Sequence, residues 1–262
     1  MELANQFSLT GRVALITGGT SGIGLSIARA YAAMGAGVAV VSRDRERVES
    51  AVAQLQPLVA AGGGAGAMGL SRDVSDTATH AGIVEEVVGQ MGRLDILVNA
   101  AGATLKKPVV ETTEEDYDRI FGLNLRAMYF MCQKAARHML GHGGGKIINI
   151  ASLASYRALT EVSLYCISKA GVESLTKSLA CEWAKDNVAV NAIAPGVFRT
   201  PLNTKLLDIP ERMQMIVSRT PIGRVGHLDE LQGTAVFLAS AASDYVRGHT
   251  LAVDGGFLAY GF

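Results

Sequence analysis

Seven short runs of almost wholly apolar, β-branched-rich residues recur along the chain, at 12–17, 38–42, 67–73, 94–99, 146–151, 188–194 and 250–253. A strand with one wet face alternates apolar and polar residues; these runs do not, so both faces of the sheet they form must be covered. The segments between them carry helical spacing, with helices expected at 22–34, 44–60, 76–91, 113–140, 163–185 and 228–239. The alternation predicts an α/β fold, doubly wound, with a mostly parallel seven-stranded sheet and helices on both faces. Asp44, Asp76 and Thr113 are placed as helix N-caps, and Asp116, three residues after Thr113, suggests a capping box. The glycine run 62–66 reads as a flexible connection between helix and strand. No repeat or linker divides the chain, so 1–262 is taken as one domain.

The stretch 195–225 breaks the alternation, with Pro201, Pro210 and Pro221 among several apolar residues. Loops of this length are often binding loops or lids. Leu202, Leu206, Leu207, Met213, Met215 and Ile216 suit short amphipathic helices closing over a ligand. The alternative is a packed helical excursion.

Composition narrows the function classes. Of 262 residues, 49% are hydrophobic and 18% charged, which allows a large core. Lys+Arg and Asp+Glu each number 24, leaving no basic excess to attract nucleic acid or anionic lipid. The apolar stretch 30–41 is too short for the ~20 residues of a membrane span and reads as helix end, turn and strand. The opening residues MELANQFSLTGR lack the pattern of a secretory signal. Cys132, Cys166 and Cys181 are an odd number without paired spacing, read as buried packing residues in a reducing cytoplasm. His138 and His142 are assigned to an exposed helix end rather than a zinc site, and no metal is expected.

The first strand runs directly into Thr17-Gly18-Gly19-Thr20-Ser21-Gly22-Ile23-Gly24 and then into an amphipathic helix. A backbone that turns tightly and presents helix N-terminal N–H groups to a pyrophosphate needs residues without side-chain bulk. Gly18, Gly22 and Gly24 meet that need in a Gly-x-x-x-Gly-x-Gly register.

The octet TGGTSGIG, the run Asn99-Ala100-Ala101-Gly102 and the segment Tyr165-Cys166-Ile167-Ser168-Lys169 together resemble the short-chain dehydrogenase/reductase family. The resemblance spans essentially the whole chain. It extends to Asp73-Val74, Asn124, Ser152 thirteen residues before Tyr165, and Pro195-Gly196-Val197 with Thr200. It implies a Rossmann-like nicotinamide-dependent oxidoreductase. The cofactor residues it implies are Gly18, Thr20, Ser21, Gly22, Ile23, Gly24, Ser42, Arg43, Asp73, Val74, Asn99, Ala100, Gly102, Tyr165, Lys169, Pro195, Gly196, Val197 and Thr200. By the resemblance Asp73 lies near the adenine, Asn99 supports a strand end beside the cofactor, and Thr200 contacts the nicotinamide carboxamide. Ser42 stands where an NAD-preferring relative places an acid, and Arg43 offers a planar donor set suited to phosphate, so NADP(H) is expected over NAD(H), with NAD(H) still open.

Tyr165 and Lys169 are four residues apart in an expected helix and share one face. A free tyrosine has a pKa of about 10, which a neighbouring ammonium lowers, so Lys169 is expected to tune Tyr165 as acid and base. Ser152 is placed to donate to the substrate oxygen. By the resemblance, Lys169 also bonds the nicotinamide ribose and Asn124 holds a water linking the lysine to solvent. Within the family the chain looks most like gluconate 5-dehydrogenases and related sugar-acid oxidoreductases. Lys106, Lys107 and Arg157 are the candidates to meet a sugar-acid carboxylate, with Phe198, Arg199 and the loop through Met215 shaping the pocket. The alternatives are a 3-oxoacyl carrier-protein reductase and a non-catalytic nicotinamide-binding regulator. The family resemblance, the apolar faces of 113–140 and 163–185 and the tail Phe257-Leu258-Ala259-Tyr260 point to a homotetramer.

Overall fold

The computed structural model describes residues 2–260. Within them β1 (Val13–Thr17), β2 (Gly37–Ser42), β3 (Ala67–Ser71), β4 (Ile96–Asn99), β5 (Gly145–Ile150), β6 (Val188–Pro195) and β7 (Thr250–Val253) form one sheet in the order β3-β2-β1-β4-β5-β6-β7. Every pairing is parallel, where the residue pattern predicts a mostly parallel sheet. The helices are α1 (Gly22–Ala33), α2 (Arg45–Gly62), α3 (His80–Met91), α4 (Glu114–Phe121), α5 (Met128–Leu140), α6 (Ser163–Trp183), α7 (Thr204–Leu207), α8 (Pro210–Ser218) and α9 (Gln232–Ala239).

The apolar runs are explained by what each side chain reaches. Val13 and Leu15 of β1 pack with Val84 and Val87 of α3, Met131 and Ala135 of α5 and Val172 of α6. The residues between, Ala14 and Ile16, join Ile27 and Tyr31 of α1, Leu55 of α2 and Ala235 of α9 in the opposite layer. Both faces exclude water, so the strands are apolar apart from a few buried, hydrogen-bonded side chains such as Asn99 and Asn149.

The N-caps form as the sequence indicates. Asp44 accepts from the Arg47 N–H, Asp76 from the Ala78 N–H, and Thr113 with Asp116 makes a reciprocal capping box. Three expectations need correction. The helix expected at 113–140 is broken, because a π-turn, Gly122–Ala127, separates α4 from α5. The glycine run 62–66 is open at Gly63 and Gly66 but tightly packed at Gly62 and Gly64. A Cβ at Gly64 would stand 2.5 Å from the Ala36 carbonyl oxygen, and one at Gly62 would collide with that of Ala32, so this run holds α2 against the start of β2. Of the cysteines only Cys132 is buried, while Cys166 is half-buried and Cys181 exposed.

The 195–225 stretch folds into α7 and α8. Asn203 stitches its start, accepting from the Thr200 N–H at 2.9 Å and donating to the Phe198 carbonyl at 2.8 Å. Leu207 is buried, whereas Leu202, Leu206, Ile209 and Met215 remain exposed.

At the end of the sheet opposite the site, the buried Asp95 carboxylate accepts from the Val13 N–H at 2.9 Å and from Arg12 and Arg93. Burial works against its charge, but these donors outweigh it and hold its pKa below the usual carboxylate range. Asp95→Ala leaves a buried N–H without its acceptor and should cost about 2 kcal/mol in urea unfolding at pH 7. A depressed folded pKa gives stability that is present above the unfolded value and lost as pH falls through the folded one. The gap between wild type and variant should therefore begin to close below about pH 4, where the unfolded-state carboxyl takes up its proton while the folded one is still charged.

Candidate active site

The parallel order places β1 between β2 and β4, so the chain departs in opposite directions on either side and a crevice opens at the strands' carboxyl ends. The glycine turn sits there. Gly18 donates its N–H to the Val41 carbonyl at 2.9 Å and has φ +66°. A Cβ at Gly18 would meet the Ala101 nitrogen at 2.8 Å. Gly22, at φ +51°, faces the Thr200 side chain, and Gly24 packs α1 onto the Gly18 carbonyl too closely for any side chain. Ser21, the N-cap of α1, makes no side-chain cap bond, leaving the first N–H groups of the helix to face the crevice.

A cleft of about 600 Å³ runs along this edge. Gly18, Thr20, Ser21, Gly22, Ile23, Gly24, Ser42, Arg43, Asp73, Val74, Ala100, Gly102 and Thr200 all line it, as the residue motifs indicate. The other expected cofactor residues lie around it. Asn99 is buried beneath the floor, donating to the Asn149 side chain at 3.0 Å and to the Cys132 sulfur at 3.2 Å. Pro195 ends β6, Gly196 packs on the Asp254 backbone, and Val197 lines a separate cavity of about 120 Å³ with Phe198 and Arg224.

Sequence reasoning missed Arg47, Arg72, Arg119 and Arg126 in the cleft wall. The signal for Arg47 was its place in the first turn of the helix that follows Ser42-Arg43, which the Asp44 N-cap fixes beside the end of β2. Arg43 stands 3.7 Å from Asp73, Arg47 3.1 Å from Asp44 and Arg72 3.3 Å from Glu86. Burial opposes the Asp73 charge, but the N–H and hydroxyl of Ser75 and the guanidinium of Arg43 prevail and lower its pKa. A long phosphate-bearing ligand fits this donor set: free helical N–H groups at the glycine turn, guanidinium groups beyond the end of β2.

Asn124 and Lys169 lie behind Gly102, where a Cβ would come 3.4 Å from the Asn124 Oδ1 and 3.7 Å from the Lys169 Nζ; Lys169 in turn neighbours Tyr165, which is bonded to Ser152. The π-turn turns Asn124 onto the Ala103 backbone. Its Oδ1 accepts from the Ala103 N–H at 2.8 Å, and its Nδ2 donates to the Ala103 carbonyl at 2.9 Å and to the Ser168 hydroxyl at 3.0 Å. The Ser152 hydroxyl caps a short turn by accepting from the Ala154 N–H at 3.1 Å. Lys169 is buried and donates to the Ile150 carbonyl at 2.6 Å.

The electrostatics correct one expectation. Burial pushes the Tyr165 pKa up, and the hydrogen bond with Ser152 opposes that without reversing it. Lys169 does not lower it here, because its Nζ is drawn to Ile150 and lies over the ring, 5.8 Å from the centroid. Burial brings the lysine itself down to about 8. The three candidate carboxylate anchors also have partners: Lys106 pairs with Glu161 at 3.1 Å, Lys107 with Asp116 at 2.8 Å, and Arg157 donates to the Leu258 carbonyl. His138 and His142 stack at the end of α5 with centroids 4.0 Å apart. Among the described residues, no three metal-ligating side chains come together.

Residues 18–258 match the profile of a family described as enoyl-(acyl carrier protein) reductase. The chain belongs to the short-chain dehydrogenase/reductase family. It is 42% identical to a 2-dehydro-3-deoxy-D-gluconate 5-dehydrogenase of Dickeya dadantii, over 98% of this chain and 99% of that one. A D-threitol dehydrogenase of Mycolicibacterium smegmatis is also 42% identical, over 96% and 94%. The solved gluconate 5-dehydrogenase of Burkholderia cenocepacia, in complex with NADP and tartrate, superposes with a TM-score of 0.92 at 38% identity, covering 98% of this chain and 99% of that chain. This short-chain dehydrogenase/reductase is thus an enzyme of an oxidoreductase family, related to dehydrogenases of sugar acids.

Gly18→Ala forces a side chain into a left-handed backbone and against Ala101. Titration of protein fluorescence with NADPH should show affinity reduced about tenfold or more.

Proposed function

We propose that this protein is a single-domain, NADP(H)-linked enzyme that interconverts a secondary alcohol and a ketone, acting on a sugar acid such as gluconate or 5-ketogluconate. The observation that carries the reading is the convergence of Asn124, Ser152, Tyr165 and Lys169 at the end of a phosphate-binding cleft. The bound nicotinamide supplies or accepts the hydride. The remaining tasks fall to the chain. Gly18 through Gly24 with the start of α1 hold the pyrophosphate, Ser42 and Arg43 the 2'-phosphate, Asp73 and Val74 the adenine, and Thr200 the carboxamide. Ala100 and Gly102 form the wall, supported by Asn99 below and by Pro195, Gly196 and Val197 beside it.

Tyr165 delivers a proton to the carbonyl oxygen in reduction and removes it from the alcohol in oxidation. Ser152 donates to the same oxygen as charge develops there. Lys169 would seat the nicotinamide ribose, next to the Tyr165 ring that its ammonium overlies. Asn124 keeps the lysine in contact with solvent through a water. A complete set of this kind argues against a non-catalytic regulator. The choice of NADP(H) is supported by Ser42 in place of an acid, by Arg43, and by the NADP found in the Burkholderia structure. The exposed apolar residues Tyr117, Tyr129 and Ile167 on α4, α5 and α6 support assembly as a homotetramer. The free cysteines accord with a cytoplasmic setting, and no helix among the described residues is long and apolar enough to cross a membrane.

The deciding assay follows NADPH absorbance with 5-ketogluconate, with NADH and an acetoacetyl thioester as comparisons. NADPH oxidation with the keto-acid is expected. Preference for the thioester would instead identify a 3-oxoacyl carrier-protein reductase. Arg43→Asp should shift the preference toward NADH, and unchanged NADPH affinity would remove Arg43 from the 2'-phosphate site.

Tyr165→Phe should lower kcat by about a hundredfold or more, the scale of a lost general acid or base. Because burial favours the protonated phenol, alcohol oxidation by the wild type should rise with pH while ketone reduction falls. The phenylalanine variant should show neither limb.

A further inference from the structure

Glu161 has a backbone conformation that suits glycine or asparagine: φ is +65°, one of two left-handed non-glycine residues among those described. It lies in the segment between Ser152 and Tyr165, four residues before the tyrosine. Its carbonyl accepts from the Lys107 N–H at 2.7 Å, and its carboxylate meets the Lys106 ammonium at 3.1 Å. The Lys106 segment begins at Ala103, a cleft residue held on both its N–H and its carbonyl by Asn124. Two loops that flank the reacting group are therefore joined through one strained residue. A glutamate at a position that favours glycine points to a use for its side chain.

Lys106 already holds one carboxylate, so a substrate carboxylate that reached it would have to displace Glu161. Lys107 does not compete for this role, since it is tied to Asp116 in the capping box of α4. Arg157 is turned to the Leu258 carbonyl. The Lys106–Glu161 pair is partly exposed, with the two side chains 47% and 37% accessible, so exchange of one carboxylate for another requires no opening of the core.

We propose that Glu161 is a specificity-determining residue, an internal carboxylate that competes with anionic substrates for Lys106 and so sets the preference between sugar acids and uncharged polyols. This rests on the sugar-acid reading above. Removing the competitor frees Lys106 for the substrate and favours the acid; removing Lys106 abolishes the distinction. The relatives bracket the choice, one named for a sugar acid and another for threitol.

The test compares wild type, E161Q, K106A and the double variant, each assayed with NADP+ on D-gluconate and on D-threitol. In E161Q the gluconate-to-threitol ratio of kcat/KM should rise about fivefold through KM, the scale of one partly exposed ion pair. The double variant should lose that gain. E161G removes the carboxylate while easing the backbone and should reproduce E161Q, separating charge from loop strain. A ratio that stays the same or falls in E161Q, or a gain that survives without Lys106, overturns the proposal. If wild type turns over neither substrate, the functional reading fails. Calorimetric titration of D-gluconate into NADP+-loaded wild type and E161Q then decides the proposal separately: tighter binding to E161Q supports it, and equal or absent binding overturns it.

Discussion

Between the exits of β1 and β4 the two backbones come so close that a single carbon added at Gly18 would press on the Ala101 nitrogen. That contact sets the geometry of everything above it. It brings the glycine turn and the Ala100–Gly102 wall to one edge and lets Gly24 seat α1 against the turn. Asn124 and Lys169 then lie directly behind the wall at Gly102, with Tyr165 beside the lysine. The floor is fixed from below by a buried polar chain. Asn99 on β4 bonds Asn149 on β5, and Asn149 donates to Thr176 on α6, the helix that carries Tyr165 and Lys169. Unpaired, these amides would be costly in so apolar a core; paired, they tie the strand beneath the cleft to the helix of the reacting groups.

The fold was legible because the sheet is covered twice. That condition leaves continuous apolar runs, and they survive in the sequence with boundaries only a residue or two from the ladders. What stayed hidden depends on contacts between distant residues. The π-turn at 122–127 has no local signal, because Asn124 is held there by Ala103, 21 residues away. The tight packing at Gly62 and Gly64 is equally non-local, since a glycine-rich run has the same composition whether it is slack or pressed against a carbonyl. The nucleotide half of the site was readable from the glycine register and from Ser42-Arg43. Arg72 was not, because only the ladder of β2 and β3 brings it beside them.

Charge was the least legible property. Spacing put Tyr165 and Lys169 on one helix face, but direction matters more than proximity in a buried site. The lysine ammonium takes the nearest acceptor, the Ile150 carbonyl, and burial then acts on each group separately, raising the phenol and lowering the amine. The acceptor that each side chain reaches, rather than its spacing along the helix, therefore sets where the two groups' charges lie.

The two ends of the cleft handle charge differently. At the nucleotide end Arg43, Arg47 and Arg72 stand with partners 3.1 to 3.7 Å away, exposed pairs that a phosphate can displace at small cost. Lys106 with Glu161 and Arg199 with Asp208 are likewise partly exposed pairs, whereas Lys107 is held by Asp116 in the capping box of α4. Of these cations only Arg43, Arg47 and Arg72 line the cleft itself. At the other end the polar groups are uncharged hydroxyls, Ser152 and Tyr165, bonded to each other, with Lys169 committed to the Ile150 carbonyl.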